Sequence, residues 1–116
     1  MLCHRNELKT EDREKPRDGT GIVTFVHMIE GKGKVHKNVN LLAEITLPPG
    51  ASIGNHSHTE DMEFYIILKG NGVVNDNGTE KPVTVGDVMI TGNGEIHSIA
   101  NTGSVPLVFH AVIVKN

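Results

Sequence analysis

GASIGNHSHTEDMEFYIILKG occupies residues 50–70. His56 and His58 are separated by one residue. On an extended strand, positions i and i+2 point to the same face, so the two imidazoles project side by side as a shared metal requires. Thr59-Glu60-Asp61-Met62 follows as a polar stretch suited to a turn, with Glu60 and Asp61 expected as solvated acids. Glu63 then opens the apolar strand Phe64–Leu68. Glu63, Tyr65 and Ile67 share one face of that strand, and Phe64, Ile66 and Leu68 share the other.

A second informative stretch, GDVMITGNGEIHSIAN, occupies residues 86–101 and places His97 shortly after Gly94 on another β segment. His56, His58, His97 and Glu63 together offer three imidazoles and one carboxylate. Imidazole suits Zn, Cu, Fe and Ni, and the carboxylate also accommodates Mn. The expected cofactor is one divalent transition metal (Mn, Fe, Ni or Zn). Four protein ligands leave up to two open positions on a six-coordinate ion, where water, O₂ or a chelating substrate can bind.

Outward from these stretches the texture is that of an all-β domain. Short apolar runs alternate with turns, and Gly occurs 13 times. The runs are Ile22–Ile29, Val35–Asn40 leading into Leu41–Leu47, Phe64–Leu68, Val73–Asn75, Thr79–Val85, Val88–Thr91, Ile96–Ala100 and Leu107–Val114. Asp76-Asn77-Gly78 is a hairpin signal, because Asn-Gly tolerates positive φ at both turn positions. Pro82 cannot donate to a ladder, which assigns its strand to an edge or a bulge. No segment sustains a helical period. Many short strands with close turn signals predict a sandwich or barrel. Residues 1–21 are polar and mixed in charge, and are read as an arm or loop with one short helical turn, leaving 22–116 as the β-barrel domain.

With 116 residues the chain has room for one core. Its formal net charge is −3, with Lys+Arg 11 against Asp+Glu 14. The basic residues Arg13, Lys15 and Arg17 are interspersed with Glu11, Asp12, Glu14 and Asp18, so no clustered basic surface suggests nucleic acid. Cys3 is the only cysteine, which excludes an intrachain disulfide. No apolar run approaches the roughly 20 residues of a membrane helix, and the N-terminal stretch lacks the apolar core of a signal peptide. A cytoplasmic protein without membrane or nucleic-acid partners is expected.

Residues 50–70 resemble the first conserved motif of the cupin superfamily: glycine, five residues, His-x-His, a short gap, Glu, six residues, glycine. Gly50, His56, His58, Glu63 and Gly70 stand at its positions. Residues 86–101 resemble the second motif through Gly86, Gly94, His97 and Asn101. One position departs: Gly92 stands where the family usually has proline, which loosens the turn before His97. The resemblance covers roughly residues 22–114. It implies a jelly-roll, double-stranded β-helix barrel whose mouth holds a metal on His56, His58, Glu63 and His97. It also implies a homodimer, with residues 22–40 as candidates for strand exchange.

Beyond the ligands, Tyr65 and His110 are the candidate catalytic residues, and Glu44 is a further polar candidate if it faces inward. Tyr65 lies on the Glu63 face and can donate a phenolic hydrogen bond, or simply fill the barrel. His110 belongs to the alternation class Val108, His110, Val112, Val114, which faces either inside or outside. Asn101 is expected to hydrogen-bond a turn. Cupins share a scaffold, and a scaffold does not fix function. The first expectation is a metal-dependent enzyme acting on a small polar metabolite such as a sugar acid or keto acid, by oxygenase, decarboxylase, isomerase or lyase chemistry. The alternatives are a non-catalytic small-ligand binding or sensor module, and a structural dimer pinned by its metal.

Overall fold

The computed structural model describes residues 1–116. Ten strands follow one another: β1 (Lys9–Glu14), β2 (Ile22–His27), β3 (Val39–Leu47), β4 (Ser52–Ser57), β5 (Asp61–Lys69), β6 (Asn71–Asp76), β7 (Thr79–Thr84), β8 (Val88–Thr91), β9 (Ile96–Ala100) and β10 (Leu107–Lys115). Two 3₁₀ turns, Arg5–Glu7 and Pro16–Asp18, are the only helical pieces. The strands form a six-stranded sheet in the order β1-β2-β3-β10-β5-β8 and a four-stranded sheet in the order β4-β9-β6-β7, both antiparallel. This is the two-sheet all-β architecture expected from the strand pattern, in the jelly-roll form that the resemblance implies.

The two sheets close on a shared apolar core. Val23, Ile45, Leu47, Tyr65, Ile99, Leu107 and Phe109 are each at most 2% exposed. Burying side chains of this size contributes roughly 1.5–3 kcal/mol each. Period-2 alternation sets the faces: Glu63, Tyr65 and Ile67 are buried, while Phe64 and Ile66 are only partly so. Pro82 sits on β7, the edge strand of the smaller sheet, where its missing N–H breaks no ladder. Asn77 and Gly78 form the two-residue β6–β7 turn with φ of 49° and 101°. Asn101 is buried and ties its turn together, donating from Nδ2 to the carbonyls of Leu47 and Val105 at 2.8 Å each, while its Oδ1 accepts from the Gly103 N–H.

The N-terminal segment differs from the expected loop. Lys9–Glu14 is a strand that pairs along its whole length with β2, from Lys9 opposite His27 to Glu14 opposite Ile22. Its side chains are almost all exposed, so KTEDRE carries no apolar alternation. Backbone hydrogen bonds to the edge of the sheet hold it there, and these leave no mark in side-chain type.

The chain then crosses the barrel mouth through the 3₁₀ turn Pro16–Asp18, which packs against β4. Two close approaches seat it. A Cβ at residue 54 would collide with the Arg17 carbonyl oxygen, and one at residue 19 would collide with the Ser52 carbonyl oxygen. Only glycine admits such backbone proximity. The Gly54→Ala variant is therefore expected to lose about 1–3 kcal/mol, because backbone has to move to clear the new methyl group. Chemical denaturation measures the loss; an unchanged midpoint would show that this turn is not packed on β4.

Candidate metal centre

Three strands bring the four residues to one point inside the mouth: β4 carries His56 and, just past its end, His58, β5 carries Glu63 and β9 carries His97. Their ligand atoms all lie within 4.8 Å of one another. His97 is on β9, directly opposite His56 on β4. The register slips between Ile53↔Ile99 and His56↔His97, so β4 carries one extra residue there. That bulge turns both Ile53 and His56 inward, which a regular strand could not do at a spacing of three. His58 lies just beyond β4, and its backbone is clamped to the turn before β9: Gly94 N–H donates to the His58 carbonyl at 2.8 Å, and His58 N–H donates to the Glu95 carbonyl at 3.1 Å. Gly94 has φ +83°, a conformation that L side chains rarely adopt. Glycine at 92 does not leave this turn loose. Gly92 N–H donates to Glu95 Oε1 at 3.3 Å, a bond proline could not make, and Glu95 N–H returns to the Gly92 carbonyl at 3.0 Å.

The Nε2 atoms converge. His97 Nε2 is 3.0 Å from His56 Nε2 and 3.2 Å from His58 Nε2. Glu63 Oε1 lies 3.0 Å from the Nε2 of both His58 and His97 and 3.8 Å from that of His56. Ligands bound at about 2.1 Å to one ion, at right angles, lie about 3.0 Å apart. The far nitrogens are each engaged elsewhere. His56 Nδ1 is 2.8 Å from the Gly54 carbonyl, His58 Nδ1 is 2.6 Å from Asp61 Oδ1, and His97 Nδ1 is 2.9 Å from Thr91 Oγ1. A carbonyl oxygen only accepts, so His56 carries its proton on Nδ1, and a neutral ring then presents its Nε2 lone pair to the centre. The carboxylate of Asp61 imposes the same tautomer on a neutral His58. Lone pairs from imidazoles and a carboxylate, crowded at 3 Å, call for a cation between them. The donor set fits a divalent transition metal with its outer hydrogen bonds in place.

Protonation follows the same logic. Burial opposes ionisation of Glu63, yet the imidazoles of His56, His58 and His97 crowded around it outweigh burial and hold the carboxyl below its usual range. The hydrogen bond to Glu63 raises the His58 value, with Asp61 adding to the effect against desolvation. Burial lowers the His97 value. Burial, then the charge of Glu63, pushes the Tyr65 phenol well above its ordinary value, so it stays protonated.

Tyr65 forms the floor of the site. It is 2% exposed, stacks on His97 with ring centroids 4.8 Å apart and tilts against Phe109 at 4.6 Å. Tyr65 thus faces inward and fills the barrel, on the same side as the ligand set. His110 is different. On β10 the buried residues are Leu107, Phe109 and Ala111; His110 alternates with them and lies on the opposite face of the six-stranded sheet. There it pairs in register with Glu44 and Ile66, and Glu44 is bound by Arg5 at 2.8 Å. Strand alternation turns His110, expected as a catalytic candidate, and Glu44, whose inward orientation was open, to the outer face, away from the four candidate ligands.

Four other residues belong to the site. Asp61, expected as a solvated acid, orients His58. Thr91, 1% exposed on β8, orients His97 from beside Glu63, its partner in register. Thr91 was legible only as a position on a strand, since its contact needs the β5–β8 pairing. Arg13 and Arg17, read from the sequence as scattered charge, line the cavity over the centre. That cavity measures ≈ 210 Å³ and includes His56, His58, Glu63 and Tyr65 in its wall.

The comparisons with known proteins agree with this geometry. The family model described as "Cupin domain" matches residues 43–113, more than half of the chain. The chain is a cupin. The Oxalate-binding protein of Thermotoga maritima is 42% identical to this cupin over 114 residues, which cover 98% of this chain and 93% of that protein. A Thermotoga maritima crystal structure described as a predicted oxalate decarboxylase superposes with a TM-score of 0.93 at 41% identity, covering 100% of both chains. A cupin-superfamily sugar phosphate isomerase from Silicibacter pomeroyi superposes with a TM-score of 0.77 at 20% identity, covering 100% of this chain and 76% of that one, and so shares the fold. No helix of this cupin is long and apolar enough to cross a membrane.

Two outcomes follow for the centre. Protein purified without chelator is expected to carry about one equivalent of a divalent transition metal, and His58→Ala to carry little. Elemental analysis decides; equal metal in both would remove His58 from the ligand set. The second outcome is a pH dependence. The raised His58 value stabilises the metal-free fold below the ordinary histidine value of about 6.5, and that contribution is lost as pH rises through the higher folded value. A metal at Nε2 has to displace that proton. Metal affinity should therefore weaken as pH falls, by up to about tenfold per pH unit once His58 is protonated in the metal-free protein. Metal titrations from about pH 7.5 to about pH 5.5 read this directly; a flat profile would mean that no proton is displaced.

Proposed function

We propose that this cupin binds a small carboxylate anion of the oxalate class through a metal held by His56, His58, Glu63 and His97. The observation that carries the reading is the polar inventory of the cavity. Its wall holds the ligands His56, His58 and Glu63, with Tyr65, Arg13 and Arg17, and otherwise only apolar side chains and Pro16. Once the metal ligands are assigned, no free carboxylate or imidazole remains in that wall to serve as a general base. A divalent ion bound there would anchor and polarise a carboxylate oxygen. Tyr65 stays protonated and offers a hydrogen bond, while Phe25, Leu41, Ile45, Ile53 and Ile113 keep the wall dry. A volume of ≈ 210 Å³ suits a ligand of few heavy atoms. The relative named Oxalate-binding protein, 42% identical over nearly the whole chain, supports the same ligand class.

A second reading is decarboxylation, in which a carbon–carbon bond of oxalate breaks to give carbon dioxide and the remaining carbon takes a proton to become formate. The name of the Thermotoga maritima structure favours it, and Tyr65 is the one protein group in the cavity wall placed to hold that proton.

Calorimetry of metal-loaded protein with oxalate, followed by a formate assay on the same sample, separates the two. The expected result is metal-dependent binding with oxalate recovered intact, and a Tyr65→Phe variant that binds about threefold to tenfold more weakly. Formate formed in proportion to protein would replace binding by catalysis. No heat with oxalate or any other small carboxylate would overturn both.

A further inference from the structure

The cavity contains more positive charge than a metal site needs, and its source is the N-terminal segment. Arg13 on β1 and Arg17 in the 3₁₀ turn line the wall of the metal cavity together with His56 and His58. The same two arginines line the neighbouring groove that runs past His58 and Asp61. They therefore stand at the rim that the two spaces share.

Each arginine is held in place differently. Arg13 projects from the β1–β2 pair on the side of Glu11, two residues earlier, and of Phe25, which faces the core. Its guanidinium carbon lies 4.1 Å from the Phe25 ring centroid, and its Nη2 donates to Glu11 Oε1 at 3.1 Å. Glu11 Oε1 is also 2.8 Å from His27 Nε2. Stacking and one ion pair fix the plane of the guanidinium and engage one edge of it, leaving further N–H donors.

Arg17 is fixed through its backbone. It has φ +55°, between Lys15 at +47° and Asp18 at +59°. Three left-handed non-glycine residues within four positions cost energy and persist only where the surroundings over-determine them. Here the seat is the close approach of residues 17–19 to Ser52 and Gly54. The side chain so placed has no ion pair with any carboxylate of the chain. Its charge nevertheless reaches the buried Tyr65 phenol on the cavity floor. A guanidinium anchored at the backbone, lining the metal cavity and lacking an internal anion is a donor available to a ligand oxygen.

We infer that Arg13 and Arg17 form a guanidinium clamp that takes the carboxylate oxygens of the ligand left free by the metal, so that the site selects short dicarboxylates over monocarboxylates. The inference rests on the metal-dependent carboxylate binding proposed above and names the residues that set its specificity. A monocarboxylate satisfies the metal alone and leaves the clamp without a partner. A two-carbon dianion presents oxygens to both, and the small cavity penalises longer chains. A site that spends donors on a group rejects the analogue lacking it far more strongly than an apolar pocket rejects a change of size.

The test is calorimetry of metal-loaded protein with oxalate and with acetate, for the wild type, Arg17→Met, Arg17→Lys and Arg13→Met, each checked for metal content and melting temperature. The wild type is expected to prefer oxalate. Arg17→Met should weaken oxalate about tenfold to hundredfold while acetate changes by less than about threefold, because a charge-assisted bidentate contact is lost on one ligand only. Arg17→Lys should recover part of the loss, since it restores charge but not the planar fork. Arg13→Met should repeat the selective loss from the other side of the rim and does not depend on the strained turn. If the arginine variants keep the wild-type ratio of oxalate to acetate affinity, the clamp is overturned while metal-dependent binding stands. A uniform loss on both ligands also overturns it, since a general field would then be the cause. If the loaded wild type binds neither ligand, the underlying reading fails first.

Discussion

Three imidazole nitrogens and the Glu63 carboxylate oxygen packed together, most of them 3.0–3.2 Å apart, repel one another unless positive charge sits among them. Much of the barrel's construction follows from that requirement. The Gly54 carbonyl, Asp61 and Thr91 each take the far nitrogen of one histidine, so that the near nitrogens are held inward. In the metal-free protein Glu63, and after it Asp61, raise the His58 value and so favour a proton at that ring. Metal and proton therefore compete for one place, and folding, metal loading and pH are linked through it.

The antiparallel frame makes this crowding affordable. Glu63 and His97 sit on strands buried in their own sheets, and the bulge in β4 re-aims His56 toward them. Tyr65, Phe109 and Ile99 form a rigid apolar floor directly beneath. A low-dielectric floor strengthens every charge interaction above it. The opposite side is closed by polar chain rather than by core. There the β1 strand and the Pro16–Asp18 turn lie across the mouth and carry two guanidiniums to it. The barrel thus gathers the four candidate ligands, and its N-terminal segment lines the cavity beside them.

Much of this was legible in the residue order because the relevant periodicities are short. Alternation placed Glu63, Tyr65 and Ile67 on one face, the Asn77-Gly78 pair marked a hairpin, and Pro82 marked an edge. The ligand set was legible because its spacings are constrained jointly. Alternation alone could not say which face of β10 is inside, so His110 and Glu44 stayed ambiguous until the register with β5 placed them on the outer face. Asp61 was misread because a turn acid beside a histidine looks the same in sequence whether it is solvated or bound to it.

The sequence by itself determined the all-β class and pointed to His56, His58, Glu63 and His97 as candidate ligands, since these rest on local strand geometry and on side-chain chemistry. Only the tertiary structure decided the bulge that turns His56 inward, the partners Thr91 and Asp61, and the arrival of Arg13 and Arg17 over the cavity. These depend on which backbones meet. β1 is held by main-chain hydrogen bonds to β2, and the Pro16–Asp18 turn by its contact with the bare backbone of Gly54. Every residue carries the same main-chain donors and acceptors, so such contacts leave almost no trace in the order of side chains.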